Sequence, residues 1–407
     1  MTTRTSTTDR TATKTDRPPG RRDPKRLRAA AILALGALAL FGLAPALLSD
    51  FRLSLLAKYL CFAIVAVGIC LAWGRGGLLT LGQGVFFGLG GYAMAMHLKL
   101  ADAGPGELPD FMQLYGQADQ LPWWWRPFEN PVFALAATVL LPMAVAALLG
   151  LLIFRRRVRG AYFAILSQAL AVAMVILLVG QQGTTGGTNG LTDIQGFFGY
   201  DLDDPVNQRM VYFVIAAVLL ILMILVRQLI HSRYGELLVA VRDSEERVRF
   251  LGYDPANVKL FAYVVAAGAA GLAGALFVPA VGIISPALIG IVPSIEFVIG
   301  AALGGRASLV GAVLGAIAVA WAKTALSEEF PAAWTYAQGL LFVLVVGFLP
   351  GGLASLAGVL KRRASRTGSA DTAPPQDPTP PPAPDPAPAQ ASSPAKAVPA
   401  VTPEVIS

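Results

Sequence analysis

Thr80 and Gln83 stand three residues apart in the apolar, glycine-rich stretch GGLLTLGQGVFFGLGGY, Gly76 to Tyr92. On a helix that spacing puts both on one face. A hydroxyl and an amide together offer donors and acceptors to a polar, uncharged ligand. The plainer reading of Gln83 is an interhelical hydrogen bond, common between membrane helices. The stretch carries seven glycines, residues that weaken helices. Gly84 and Gly88 form a GxxxG pattern suited to close helix packing. Gly76, Gly77 and Gly82 flank Thr80, where a thinned helix would bring backbone to a polar path.

Other candidates for chemistry are few. Glu296, in VPSIEF, follows Pro293 and Ser294. It reads first as an acid in the first turn of a helix, favoured by the macrodipole. An ionisable group within a membrane segment is also a functional candidate. His97 and His231 are the only histidines, and neither has Cys, Asp or Glu at metal-ligand spacing. Cys61 and Cys70 lie nine apart in one apolar run, a spacing suited neither to an intrahelical disulfide nor to a metal site. GxxxxGK[ST] is absent, so no P-loop binds ATP here. Gly82, Gly84 and Gly88 lack the strand before them and the ribose-binding acid after them that a dinucleotide loop needs. With no triad or metal cluster either, the sequence reads as a transporter or channel subunit rather than an enzyme, with no cofactor and no metal.

The elements that must position these residues follow from composition. Of the 407 residues 55% are hydrophobic and 14% charged, against about 25% charged in ordinary soluble domains. Apolar runs near the ~20 residues of a membrane helix recur at Ala29–Leu48, Tyr59–Trp73, Leu78–Leu98, Val132–Phe154, Ala161–Gly180, Val211–Val226, Leu260–Val278, Phe297–Leu303, Leu309–Leu326 and Thr335–Leu349. The eighth is short. Backbone polar groups must be satisfied internally in lipid, and runs without period-two alternation choose helices over a barrel. The expectation is an all-α integral membrane protein of about ten transmembrane helices.

Ten crossings from a cytoplasmic N-terminus leave only Arg52, Lys58, Lys99, Arg126, Arg209 and Lys323 of the 32 Lys and Arg outside, as the positive-inside rule requires. The net charge of +7 therefore reports topology and not nucleic-acid binding. Both termini are expected in the cytoplasm. Residues 1–28 form a basic tail, 29–360 the transmembrane domain, and 361–407 a Pro/Ala-rich tail unable to form a packed core. The first run is longer than a signal-peptide h-region, so it reads as an uncleaved helix.

Three connections are informative. LPWWWRPF places Trp123 to Trp125 as an interfacial belt. GTTGGTNGLTD, Gly183 to Asp193, is either a flexible surface loop or a segment folded back to line the outer entrance with Thr185, Thr188 and Asn189. The segment 231–259 predicts a short helix at Ser244–Leu251. Asp243 would be its N-cap with Glu246 closing a capping box, and Gly252 and Pro255 would stop it. Val248 and Leu251 would face the membrane domain, and Glu245, Arg247 and Arg249 the cytoplasm or a partner.

Taken together, GLLTLGQGVFFGLGGY, TGGTNGL, AVRDSEERVRFLGYDPANVKLFAYVVAA, AGALFVPAVGIISP, PSIEFVIGAALGGR and GAVLGA resemble the membrane subunits of bacterial ABC importers of the branched-chain amino acid permease family. The likeness runs from Leu53 to Leu360. PDFM, LPWWWRPF, RVRGAYFAI and VPAVGII look most like the urea-transporter branch. The resemblance implies a second homologous permease chain, two ABC ATPase subunits, an extracytoplasmic urea-binding protein and the bacterial cytoplasmic membrane. It makes Arg242, Asp243, Ser244, Glu245, Glu246, Arg249 and Gly252 the ATPase-coupling residues. Thr80, Gln83, Thr188, Asn189 and Glu296 are the pathway candidates. A branched-chain amino acid permease is the nearest rival and would want fixed charges in its path. A passive urea channel would need no capped cytoplasmic helix, and a secondary transporter would show paired intramembrane carboxylates.

Overall fold

The computed structural model describes residues 24–104, 106–114, 120–156, 158, 160–329, 333–348 and 352. The expected tails, 1–23 of the first and all of 361–407, lie outside them. Twelve principal helices follow in chain order: α1 Pro24–Leu38, α2 Asp50–Ile69, α3 Gln83–Ala103, α4 Pro131–Arg155, α5 Ala161–Gly180, α6 Pro205–Ile230, α7 Arg233–Asp243, α8 Glu245–Phe250, α9 Pro255–Val281, α10 Ile291–Gly304, α11 Leu309–Glu329 and α12 Ala333–Phe348. A single antiparallel pair, Gly196–Phe197 with Tyr200–Asp201, is the only sheet among the described residues. Among the described residues seven helical segments are long and apolar enough to cross a membrane. The apolar helix Ala31–Leu47, α3 and α12 stand where the other three spans were expected.

α3 and α9 form the buried centre, where α9 packs against α2, α3 and α4. They touch backbone to backbone. A Cβ on Gly90 would sit 2.0 Å from the Gly271 carbonyl oxygen, and one on Gly274 1.8 Å from that of Phe87. Lipid chains are as apolar as leucine, so membrane helices associate through such close small-residue contacts rather than hydrophobic burial. Gly84 and Gly88, the GxxxG pair, press instead on Ile289 in the chain entering α10. The outer helices α4 and α5 present Leu140, Leu148, Ile165 and Ile176 at the surface, as lipid-facing helices should.

Several sequence expectations are corrected. The run Leu78–Leu98 is not one helix: Gly77 to Gly82 is non-helical and α3 begins at Gln83. Thr80 and Gln83 therefore do not share a helical face. The eighth run lengthens to Ile291–Gly304, preceded by a 3-10 turn at Pro286–Leu288. Gly290 is its N-cap, which moves Glu296 beyond the first turn. Asp243 ends α7 and Ser244 takes the N-cap of α8 without a side-chain bond, so the capping box with Glu246 does not form. Gly252 does stop that helix at φ +87°, a left-handed conformation that glycine adopts without a Cβ penalty. Trp125 is fully buried against Phe111 and Trp124, leaving Trp123 as the exposed member of the belt.

Candidate functional site

The break between α2 and α3 starts with a π-helical turn, Cys70–Arg75. There the ladder widens, with Gly76 N–H donating to Leu71 O and Leu78 N–H to Ala72 O. Gly77, at φ +70°, then turns the chain into a run without regular structure that lasts to Gly82. Among the described hydrogen bonds none reaches the carbonyls of Gly76 to Thr80. Backbone acceptors left open inside a membrane protein are tolerated where they line a wet cavity. A cavity of about 390 Å³ lies there, lined by Gly76, Gly77, Leu79, Ala161, Arg242 and Glu245 among others.

At the upper end of the break the polar groups become fully buried. Thr80 is 1% exposed and Gln83 0%, and neither atom of the Gln83 amide has a partner. The Tyr263 hydroxyl on α9 faces Thr80 without a bond of good geometry. Rings of Phe86, Phe154 and Phe163 pack edge-on around Tyr263. Two serines pin the chain here. Ser167 Oγ accepts from Leu81 N–H at 3.0 Å, and Ser294 Oγ accepts from Gly84 N–H at 3.0 Å. A buried amide with neither donor nor acceptor met costs roughly 1–3 kcal/mol, so Gln83 is held at a cost. Ser167, Ser294 and Tyr263 were missed in the sequence because single hydroxyl residues in apolar runs carry no pattern.

The outer candidates sit elsewhere. Thr188 and Asn189 are exposed, and no described contact joins them to Thr80 or Gln83. Their loop is pinned, not free: Leu191 and Ile284 exchange backbone bonds at 2.9 Å, and Thr185 is buried on Leu178 and Gln181 carbonyls. The segment thus folds back over the chain between α9 and α10. Glu296 receives both bonds of Lys323 Nζ, at 2.7 and 2.8 Å. With Lys58, Phe62, Phe87 and Phe297 they line a second cavity of about 300 Å³. Replacing Glu296 by Gln would leave two ammonium groups facing each other. Because the Lys323 side chain is 40% exposed, the expected loss is about 1–2 kcal/mol rather than the several of a fully buried pair, read as a lower thermal unfolding midpoint in detergent.

α7 packs against the π-helical turn that opens the break, and Glu245 at the start of α8 lines the same cavity. Arg242 Nη1 donates to the Gly74 carbonyl at 3.2 Å, and its Nε to Asp243 Oδ1 at 2.9 Å. Glu245 pairs with Lys259 of α9, and so faces the cavity rather than the cytoplasm. Val248 is buried as expected, but Leu251 is not: Phe250, Leu251 and Tyr253 are exposed, Phe250 by 91%. Glu246, Arg247 and Arg249 surround them at the surface. Among the described residues no group of His, Cys, Asp and Glu is arranged to hold a metal.

Comparison with known proteins gives this arrangement a family. The profile of a family described as the permease component of branched-chain amino acid transport systems matches residues 51–349. The high-affinity branched-chain amino acid transport system permease protein LivM of Salmonella typhimurium (strain LT2) is 27% identical over 333 residues, 76% of this chain and 71% of that protein. Its counterpart in Escherichia coli (strain K12) is 27% identical over 316 residues, 72% and 67% of the two chains. No solved structure matches. Permeases of this kind are multi-pass inner-membrane subunits that work with ATPase and substrate-binding partners, and they are not themselves enzymes. The chain belongs to the permease component family of branched-chain amino acid transport systems, with the all-helical membrane fold of an ABC importer permease.

Proposed function

We propose that this permease carries urea, and that solute passes along the break between α2 and α3. The observation behind this reading is the non-helical chain at Gly77–Gly82: Gly76 to Leu79 line the 390 Å³ cavity, no described hydrogen bond reaches the carbonyls of Gly76 to Thr80, and the run ends at the buried Gln83 amide, which has no partner among the described residues. Urea presents four N–H donors around one carbonyl, so it asks for many acceptors, few donors and no countercharge. A row of backbone carbonyls with Thr80, Gln83 and Tyr263 at its head is that set. The charged groups lining the cavity are engaged already: Glu245 with Lys259, and Arg242 with Asp243 and Gly74. Thr188 and Asn189 belong to the outer entrance in this scheme, with both termini cytoplasmic.

The transport unit pairs this chain with a second homologous permease, two ABC ATPases and an extracytoplasmic urea-binding protein. ATP-driven closure of the ATPases moves α8, and the permease pair rocks between outward and inward openings. Residues Arg242 to Gly252 form the coupling segment, and Phe250, Leu251 and Tyr253 supply its apolar contact. Buried aromatic anchors dominate interface energies. Phe250→Ala is therefore expected to weaken ATPase association roughly thirtyfold, measured by co-purification and by the concentration of ATPase needed for half-maximal uptake.

Urea uptake is tested by reconstituting the assembled importer in liposomes. ATP-dependent accumulation of labelled urea, with none of leucine, supports the proposal. Leucine uptake alone rejects it, and flux without ATP indicates a channel. The second reading, a branched-chain amino acid permease, draws on the cavity holding Lys58, Glu296 and Lys323 beside Phe62, Phe87 and Phe297. Fixed charges of both signs against an aromatic wall suit an apolar zwitterion. In that case Glu296→Gln would abolish uptake, whereas a urea path through Gln83 leaves its KM unchanged.

A further inference from the structure

The coupling residues fall into two groups by where they point. Phe250, Leu251 and Tyr253 face outward. Arg242, its side chain 39% exposed, reaches back from the surface and shares its guanidinium between Asp243 and the π-helical turn that precedes the break. Its Nη1 donates to Gly74 O at 3.2 Å, and its Cγ lies where a Cβ on Gly77 would come within 2.7 Å. The opposite side of the same turn is held by the chain between α10 and α11. The Arg306 carbonyl accepts from Cys70 Sγ at 3.2 Å and is so close to Gly74 that a Cβ there would be 1.8 Å away. The Arg306 guanidinium lies over the Trp73 ring, 5.0 Å from its centre. The turn is therefore gripped between two arginines from different cytoplasmic connections.

The two grips differ in kind. Arg306 acts through its own backbone and through packing on Trp73, contacts that move only if the whole connection moves. Arg242 acts through one charge-assisted bond at the end of a side chain, in the last turn of α7. Ser244 alone, in an extended conformation, separates α7 from α8. A tilt of α8 is thus passed to Arg242 with little slack. The carbonyls released or held by that motion are those of the non-helical run just beyond Gly74.

We propose that Arg242 is a positioning residue that clamps the Gly74 carbonyl, and that loss of this bond is the step by which motion of α8 reshapes the Gly77–Gly82 break. This rests on the reading that the break lines the solute path. The test compares Arg242→Ala and Arg242→Lys with the unmodified importer, complete with ATPases and binding protein, in liposomes. ATP hydrolysed per solute imported is read with urea and with leucine offered separately. In Arg242→Ala, ATP turnover is expected to stay within about twofold while uptake falls about tenfold, the scale of one hydrogen bond from a charged donor. Lysine keeps a single donor and is expected to recover part of the loss. A cysteine at Leu79, labelled from the cytoplasmic side in the absence of ATP, is expected to react faster when Arg242 is alanine.

An unchanged ratio in Arg242→Ala overturns the proposal. So does a parallel fall of ATP turnover and uptake in both variants, which would mark a docking or folding role. Unaltered labelling of Leu79→Cys overturns it as well. Because the ratio is read on whichever solute is carried, leucine transport would reject urea as substrate without touching the assignment of Arg242.

Discussion

Leucine in place of Gln83 is expected to leave the permease as stable as before, or more so, while urea uptake falls roughly tenfold to a hundredfold, one to two hydrogen bonds' worth. The sign of the stability change carries the argument. An amide that bonded a neighbouring helix would be missed, and its removal would cost stability. The Gln83 amide is fully buried with both atoms unpartnered, so an apolar side chain of similar size relieves a desolvation penalty. Thermal unfolding in detergent and initial uptake rates, measured on the same preparation, separate the two. A lower unfolding midpoint with unchanged uptake would make Gln83 a structural residue. Glutamate at the same position is the harsher variant, since an unpaired charge there costs several times more than an amide.

Valine in place of Gly274 is expected to do the opposite, abolishing assembly before any question of transport arises. The α3–α9 seam is formed by backbone against backbone, and a Cβ at Gly274 would meet the Phe87 carbonyl at 1.8 Å and the Gly91 nitrogen at 3.0 Å. Neither atom is the far end of a flexible side chain, so the helices themselves must separate. Overpacking of this kind costs about 1–3 kcal/mol in forgiving cores and more where backbone must move. Gly339 of α12 is the control, with nothing within 4 Å of its Cβ position. Alanine there is expected to be neutral or to gain a few tenths up to about 1 kcal/mol of helix propensity. Yield of folded protein after detergent extraction distinguishes the two substitutions. Equal yields would mean the seam is looser than its geometry states.

The helices were readable because their signal is local and redundant. Each span is a run of apolar residues long enough to cross a bilayer, and any few residues of Ala161–Gly180 or Val211–Val226 carry the same message as the rest. The stop at Gly252 was readable for a related reason: a glycine at φ +87° needs only its own backbone to act. The glycine content of Gly76–Tyr92 also announced a broken helix. Its extent did not follow, because Leu78, Leu79 and Leu81 are as apolar as any helix residue. Contacts such as the bond from Leu81 N–H to Ser167, and the cavity beside Gly77, make the non-helical form tenable there.

The capping box failed on competition. Asp243 and Glu246 have the right spacing, but α7 continues through Asp243, whose carboxylate takes the Arg242 guanidinium instead. Leu251 failed likewise, since Val248 alone fills the space beneath α8 and leaves Phe250 and Leu251 outside.

By itself the sequence determined the class of molecule: a helical membrane protein, most of its apolar spans, a weak point at the glycines around Thr80, a short polar helix stopped at Gly252 and the absence of a P-loop. These rest on composition and on spacing within single segments. Tertiary structure decided which of those polar residues meet. Thr80 faces Tyr263 from 183 positions along the chain, Gly84 meets Ser294 across 210, and Arg242 reaches Gly74 across 168. Contacts at such separations depend on how helices cross, and crossing is set by backbone approach at Gly90, Gly271 and Gly274, which no local pattern encodes.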